Sequence, residues 1–211
     1  MIKSCIKTVL FCILMLVGGS TLSITVWLGI KISPFYFFLV PICLYIAKNA
    51  SMPFWVQIGV FEHYSPMLVI VRNSKKKVIE LHSGSIFDMF TIGNITTSGF
   101  RWRRKIFLSF MEGLLKLIKD LKEKELNDYR IEGSSYFFNV KTVEKLGFSV
   151  VKASLWHKIK LFVFSPEFIL MYSFVQGKFS IPPITKIKKA VVDSSRLIKF
   201  ENNIEKLRKK L

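Results

Sequence analysis

The feature that most constrains this chain is a long uncharged stretch near its start. Residues 8–30 contain no charged side chain. As a helix this stretch would reach about 34 Å, enough to cross a hydrocarbon core of about 30 Å. A helix of a water-soluble protein rarely runs so far without a polar face. The stretch therefore predicts a membrane span over about residues 8–30. The alternative is a cleaved signal peptide, whose apolar core is usually much shorter.

A second uncharged stretch follows directly. Residues 32–47 would reach only about 24 Å as a helix, and Pro34 and Pro41 interrupt them. Local thinning of the bilayer can accommodate a span of that length. We interpret residues 32–47 as a second span that closes a transmembrane helical hairpin over residues 1–50. An interfacial or re-entrant segment is the alternative.

Basic residues set the expected orientation of this hairpin. Lys3 and Lys7 precede the first span, Lys48 follows the second, and Lys31 lies in the turn between them. Cytoplasmic flanks are enriched in Lys and Arg, so both termini are expected in the cytoplasm. The sequence thus predicts a multi-pass protein of a bacterial inner (cytoplasmic) membrane.

The rest of the chain is strongly basic. The net charge is +18, and residues 51–211 contain 28 Lys and Arg against 14 Asp and Glu. Beside a bilayer, this charge predicts attraction to anionic lipid head groups. Nucleic acid is a rival partner that a membrane anchor disfavours, and a merely solvated Lys-rich surface is the plain alternative. The three cysteines lie within the first 43 residues and the three histidines are scattered, so no metal site is expected.

Residues 51–183 predict a cytoplasmic α+β domain with a mixed sheet. Their aromatic and β-branched runs predict strands, and apolar residues three and four apart predict helices. The expected strands are 54–62, 67–72, 77–82, 85–92, 129–139 with a bulge at Gly133, and 148–153. The expected helices are 101–126, 140–146 ended by Gly147, and 165–176 ended by Gly177. Residues 184–211 form a separate C-terminal segment, in which a basic amphipathic helix is predicted over 185–210.

Signatures of known catalytic classes are missing from the sequence. There is no phosphate-binding GxxxxGK[ST] loop, no HExxH and no GxSxG. Ser83-Gly84-Ser85 is interpreted as a turn rather than as a nucleophile site. The residues alone therefore favour a non-catalytic interaction or assembly protein at the membrane.

One stretch does resemble a family of enzymes. Residues 139–148, Asn-Val-Lys-Thr-Val-Glu-Lys-Leu-Gly-Phe, are similar to the Asn-x-x-Ala … Lys-Leu-Gly-Phe ending of the GNAT N-acetyltransferase superfamily. The order hairpin, strand, loop, long helix, strand, short helix and strand resembles the second half of that fold, over Lys77 to Ala153. The resemblance implies an acyl-CoA-dependent N-acyltransferase as the alternative function, with acetyl-CoA or acyl-CoA as cofactor and a membrane-associated or amine substrate.

The resemblance also implies a set of site residues. In that family the loop that opens the long helix holds the pyrophosphate of acetyl-CoA with its backbone N–H groups, as helix N-termini do for anions. The corresponding cofactor-binding residues here are Ser98, Gly99, Arg101, Arg103 and Arg104. Glu132 and Tyr136, on the neighbouring strand, are the candidate proton-transfer residues.

The loop departs from the family pattern in two places. Thr96 replaces the Arg or Gln of the family, and Arg101 replaces its final small residue. The tyrosine often used there as general acid has no counterpart. Residues 133–139 are also similar to a Gly-(Ser/Thr)-Ser-Tyr-Phe-Phe-Asn motif in a set of small bacterial membrane proteins, which implies no activity. A third hypothesis is a subunit of a larger membrane assembly, docked to other membrane proteins through residues 184–211.

Overall fold

The computed structural model describes residues 16, 19–40, 42–43, 55–56, 58–93, 99–134, 140–153, 165–182 and 188–211. The chain divides into two compact units, Met1–Val60 and Phe61–Leu211.

The first unit contains a helix, α1, over residues 19–31 and a 3-10 helix over Pro34–Leu39. Ser33 caps the second helix, and Pro34 occupies its first turn, where its missing N–H costs nothing. Among the residues described, no helix is both long and apolar enough to cross a bilayer. Of the two predicted spans, residues 8–15, 17–18, 41 and 44–47 lie outside the described residues.

The second unit is built on one mixed sheet of six described strands. They are β1 (Glu62–Ser65), β2 (Leu68–Asn73), β3 (Val78–His82), β4 (Arg130–Ser134), β5 (Ser149–Lys152) and β6 (Lys188–Asp193). The order across the sheet is β1-β2-β3-β4-β6-β5. The β3–β4 pair is parallel, and the other neighbouring pairs are antiparallel. The predicted α+β class with a mixed sheet is confirmed.

Helices connect and cover these strands. Those described in the unit are α2 (Ile86–Ile92), α3 (Gly99–Glu123), α4 (Val140–Lys145), α5 (Ser165–Gln176), α6 (Ser194–Lys199) and α7 (Glu201–Lys209). The long helix α3 packs against β1, β2, α5, α6 and α7. Its fully buried stripe recurs at helical spacing and meets Ile79, Ile131 and Val192 of the sheet. That stripe consists of Met111, Leu114, Leu117, Ile118 and Leu121.

Two hydrogen bonds to β2 and to the turn before it show the direction in which α3 crosses the sheet. Ser109 Oγ accepts a hydrogen bond of 3.3 Å from the backbone N–H of Met67, in the β1–β2 turn. Near the other end of the helix, Asp120 accepts one of 2.7 Å from Arg72, beside the start of β3. A helix that joins two parallel strands must return the chain to the starting edge. The first turn of α3 therefore lies toward the edge of the sheet where β3 and β4 end.

Several predictions from the sequence are confirmed. The antiparallel β2–β3 hairpin forms around the Asn73–Lys77 turn, where Asn73 Oδ1 accepts a hydrogen bond from the Lys76 N–H. Helix α4 is followed by Gly147 at φ +90°, and α5 by Gly177 at φ +68°, both in the left-handed region that favours glycine. The strand predicted over 148–153 is β5.

The strand predicted over residues 54–62 was wrong. Residues 55–56 are helical, and β1 begins only at Glu62. The Val60 N–H donates to Trp55 O, the Gly59 N–H donates to Val56 O, and Gly59 has φ +75°. This pair of hydrogen bonds is the Schellman closure of a helical turn. Gly59 was the overlooked signal.

The strand predicted over residues 85–92 was also wrong, because these residues form α2. Ser85 Oγ accepts a hydrogen bond from the Asp88 N–H, and the Asp88 carboxylate accepts one from the Ser85 N–H. This reciprocal capping box satisfies two of the N–H groups that a helix start leaves unpaired. The Ser-x-x-Asp spacing carried that signal, and the apolar run that follows it concealed the helix.

Replacing Ser85 tests the importance of this cap. We expect Ser85→Ala to lower the free energy of unfolding by about 1 kcal/mol, because the α2 start loses the acceptor of its N–H group. The control is Thr91→Ala, which removes an exposed hydroxyl from the same helix and is expected to change stability by less than about 0.5 kcal/mol. Urea unfolding of the full chain measures both. Equal losses of unfolding free energy for the two substitutions would contradict the capping role of Ser85.

Two further expectations need correction. The helix predicted over 101–126 runs from Gly99 to Glu123, and Glu125, at φ +52°, follows its end. No bulge occurs at Gly133, because β4 pairs in continuous register with β6 and, as far as Gly133, with β3.

The single helix predicted over 185–210 was wrong. Its described residues form β6, α6 and α7, and the two helices pack against α3. Within β6, Ala190 and Val192 belong to the core, whereas Lys189 forms an ion pair with Glu132 on the other face of the sheet, which is the two-residue period of a strand. The Lys-rich sequence around them masked that alternation.

Candidate functional site

An apolar cleft opens at the edge of the sheet where β3 and β4 end. Its walls come from the β1–β2 turn, the two parallel strands, α3, α4 and the β5–β6 pair. The lining residues are Met67, Leu81, His82, Ser83, Ile106, Phe110, Gly133, Ser134, Val140, Val143, Leu146, Phe148, Val150, Lys188 and Ala190. In sheets with parallel strands, ligands bind in crevices outside the carboxyl ends of the strands. The position of this cleft therefore makes it the candidate binding site.

The backbone explains why the sheet opens at this edge. The parallel ladder between β3 and β4 ends at the Leu81–Gly133 pair. Beyond it, His82 still pairs with Val69 of β2, and Ser134 still pairs with Lys189 of β6. Each strand thus keeps its outer partner after the ladder between the two has ended. The cleft begins at that point.

Gly133 lies in the floor of the cleft. A methyl group added to it would come within 3.1 Å of Leu81 Cβ, tighter than an ordinary contact. Glycine inside a strand often marks a place where a ligand or another backbone approaches closely. Its register partner on β6 is Ala190, another small residue that lines the cleft. Two small neighbouring residues thus keep space open between larger apolar walls.

Four of the lining residues carry polar side chains: His82, Ser83, Ser134 and Lys188. The His82 imidazole Nε2 is 3.6 Å from Glu80 Oε2, and the ring meets the Phe61 ring edge-on at a centroid distance of 6.2 Å. The lining is otherwise aliphatic or aromatic apart from Gly133. Such a cleft suits an apolar chain whose polar end is held by a few groups at the strand ends.

The candidate proton-transfer residues lie elsewhere or outside the described residues. Glu132 belongs to the opposite face of β4 from Ile131 and Gly133. Its carboxylate forms ion pairs with Arg130, whose Nε is 2.8 Å away, and with Lys189. Glu132 is not among the residues that line the cleft. Tyr136 lies outside the described residues.

The candidate cofactor-binding residues lie at the start of α3, except Ser98, which is outside the described residues. Gly99 packs against the end of α5, where an added methyl group would come within 2.7 Å of the Gly177 backbone nitrogen. Arg103 Nε donates a 3.2 Å hydrogen bond to Val175 O, and its terminal nitrogen contacts Gln176. Arg101 and Arg104 are exposed to solvent.

A second polar cluster ties α3 to the β1–β2 hairpin, away from the cleft. Arg72 donates to Asp120 at 2.7 Å and to Glu62 at 3.0 Å, and Tyr64 OH donates to Asp120 at 2.7 Å. Burial opposes ionisation of Asp120, but hydrogen bonds from Lys124, Arg72 and Tyr64 outweigh it and lower its pKa to about 2. Burial and the hydrogen bond to Asp120 raise the pKa of Tyr64. This cluster is a structural tether in which Arg72 binds through its terminal nitrogen, while its buried Nε has no hydrogen-bond partner among the described residues.

Within the part of the chain that the structure describes, no group of three or more His, Cys, Asp or Glu side chains is placed to hold a metal ion. His82, Ser83 and Lys188 were not recognised from the sequence as lining residues. Lys188 is 106 residues from His82, so only the pairing of β6 in the sheet brings them to one cleft. Comparisons of the chain with protein-family models, curated proteins and solved structures find no match.

Proposed function

We propose that the Phe61–Leu211 unit binds an acyl-CoA thioester with its acyl chain in the apolar cleft, and transfers the acyl group to an amine. The observation that carries this proposal is the position of the cleft, at the carboxyl ends of the parallel strands that α3 connects. The transfer joins the amine nitrogen to the acyl carbon, breaks the carbon–sulfur bond and releases coenzyme A as its thiol.

The order of elements supports the same proposal. A β-hairpin, a long helix, a strand, a short helix closed by Gly147 and a further strand follow one another as in the N-acetyltransferase half that the sequence resembles. One departure is α2, which stands where the resemblance implied a strand. The start of α3 also differs, because α5 packs against it.

The polar lining offers one group suited to proton transfer. Histidine is the side chain most often used as a general base, and His82 lines the cleft where the β3–β4 ladder has ended. Its ring lies beside Glu80, which is on the other face of the sheet from Leu81. We assign to His82 the role of accepting the proton from the attacking amine. Lys188, on the opposite wall, supplies a positive charge for an anionic part of the ligand.

Thermal unfolding with added ligand tests the binding step. At a concentration 100 times its Kd, an acyl-CoA is expected to stabilise the full chain by about 2.7 kcal/mol, which raises Tm by about 5–10 °C. We expect Gly133→Leu and Ala190→Leu to abolish this shift, because each side chain would fill the cleft. The control Val151→Leu, on the exposed part of β5, should retain it. No shift with acetyl-CoA or with longer acyl-CoAs would contradict the proposal.

A non-catalytic interaction or assembly role at the bacterial inner membrane is the second candidate. The observation that favours it is the composition of the cleft, in which no carboxylate lines the described walls. Measuring whether the coenzyme A thiol is released in the presence of an amine distinguishes acyl transfer from the non-catalytic role. Ligand-induced stabilisation without thiol release would favour the non-catalytic role, whereas release that His82→Gln abolishes would favour transfer.

A further inference from the structure

A second surface of the Phe61–Leu211 unit combines exposed aromatic residues with positive charge. Phe100, in the first turn of α3, and Phe179, just after α5, are each 78% exposed, and Ile181 is 66% exposed. Apolar side chains scattered singly on a surface need no explanation, but a group of them marks an interaction site. We call this surface the aromatic edge. It consists of Phe100, Phe179 and Ile181 with the exposed basic residues Arg101, Arg104, Lys105 and Lys178.

Backbone contacts hold these residues together. The start of α3 touches the end of α5, because Gly99 and Gly177 pack so closely that a methyl group on Gly99 would overlap the Gly177 nitrogen. Ser173 Oγ donates a 3.2 Å hydrogen bond to Ser180 O and accepts one of 3.0 Å from the Ser180 N–H. These bonds fold the chain after Gly177 back along α5. Phe100 and Phe179 therefore lie on either side of one helix junction.

Aromatic packing makes this junction rigid. Trp102 is fully buried, and its ring meets the Phe90 ring at 6.3 Å and the Phe174 ring at 6.4 Å between centroids. Phe90 and Phe174 themselves meet edge-on at 5.3 Å. The three rings come from α2, α3 and α5. The exposed aromatic residues thus stand on a fixed support rather than on a loose loop.

The charge around the aromatic edge has one sign. Arg101, Arg104, Lys105 and Lys178 are all exposed. Residues 99–111 and 168–182 contain no acidic side chain. Exposed aromatic rings next to Arg and Lys, without acidic residues, are typical of surfaces that lie in the interface of an anionic bilayer. Each well-placed cation adds about 1 kcal/mol to such binding.

We propose that the aromatic edge docks on a lipid bilayer that contains anionic head groups, with Phe100 and Phe179 inserted among the lipids. This docking is a separate property from acyl transfer. The first turn of α3 lies toward the edge of the sheet that carries the cleft. Docking therefore brings the mouth of the cleft close to the membrane surface, where amphiphilic substrates are concentrated.

A spin label reports this docking in the full chain, even if other segments also bind lipid. A nitroxide is attached at Phe179→Cys, or at Lys75→Cys as the aqueous reference, after Cys5, Cys12 and Cys43 are replaced by serine. The protein is reconstituted into phosphatidylcholine vesicles with or without phosphatidylglycerol. Power saturation then compares collisions with oxygen, which enters the bilayer, and with a water-soluble nickel chelate.

In vesicles that contain phosphatidylglycerol, we expect the oxygen-to-nickel ratio at position 179 to exceed that at position 75 severalfold. Arg101→Gln combined with Arg104→Gln should weaken docking about fivefold per arginine and return the ratio toward the aqueous value. The matched control removes two exposed charges from the far half of the same helix, Lys116→Gln with Lys119→Gln. It should leave the ratio at position 179 unchanged.

Three results would overturn the proposal. The first is an aqueous ratio at position 179 in anionic vesicles. The second is an equal loss with the Lys116 and Lys119 control, because docking would then depend only on total charge. The third is immobilisation of the label by an added protein without lipid, which would assign the aromatic edge to a protein partner.

Discussion

Gly84→Ala is expected to lower the free energy of unfolding by about 3 kcal/mol or more, near the upper end of the cost of overpacking. Gly84 lies between β3 and α2, where a methyl group would overlap the backbone oxygen of Pro66 and come within 3.0 Å of its carbonyl carbon. The same methyl group would lie 2.9 Å from Asp88 Cβ. Pro66 belongs to the β1–β2 turn and Asp88 to the α2 cap, so neither residue can move away without disrupting that turn or that cap.

Urea unfolding of the full chain measures this loss. The control is Gly19→Ala, because no atom of the described residues lies within 4 Å of the added methyl group there. Gly19 is helical, and in a helix alanine is favoured over glycine by up to about 1 kcal/mol. The two Gly→Ala substitutions are therefore expected to change the free energy of unfolding in opposite directions. A wild-type unfolding midpoint for Gly84→Ala would show that the β1–β2 turn and α2 do not hold each other in place.

Arg72→Met is expected to cost about 3 kcal/mol at neutral pH. The guanidinium is the shared donor to Asp120, Glu62 and Tyr64, and its side chain is only 13% exposed. Removing it leaves the Asp120 carboxylate, itself 17% exposed, with only the more exposed Lys124 as a counter-charge. Lys119→Met removes an exposed charge from the same helix and is expected to leave the unfolding midpoint unchanged.

The same cluster predicts how stability depends on pH. Because the folded pKa of Asp120 is lowered to about 2, its contribution is present above the ordinary aspartate pKa and is lost as pH falls toward 2. This contribution is worth about 2 kcal/mol. The difference between wild type and Arg72→Met should therefore shrink between about pH 4 and pH 2. A difference that stays constant over this range would assign the loss to packing alone.

Local patterns were sufficient for part of this fold. Helix α3 follows from apolar residues at helical spacing, and the hairpin between β2 and β3 follows from a polar turn between β-branched runs. Gly147 and Gly177 mark helix ends because each adopts a left-handed backbone conformation. In these elements the signal and the structure that it specifies lie within a few residues of each other.

The errors arose where two local signals competed. Residues 85–92 are aromatic and apolar enough for a strand, but the hydrogen bonds between Ser85 and Asp88 start a helix. Residues 188–193 lie in a Lys-rich stretch with helical spacing, but Val191 is β-branched and pairs with Glu132 of β4 on one side and with Ser149 of β5 on the other. Tertiary pairing decided the second case, and it does not appear in any local window.

The candidate site was less predictable than the fold. Its walls combine residues from Met67 to Ala190, so the cleft exists only after long-range pairing. Glu132 and Arg103, which the resemblance implied as site residues, do not line the cleft. Glu132 takes the opposite side of β4 by strand alternation, and Arg103 is held by the end of α5.

The last strand of the chain, β6, lies between two strands that precede it, β4 and β5. During synthesis, β5 therefore leaves the ribosome before β6, the one described strand that it pairs with. Until residues 188–193 emerge, the edges of β4 and β5 that β6 covers stay open to chaperones or to misplaced strands.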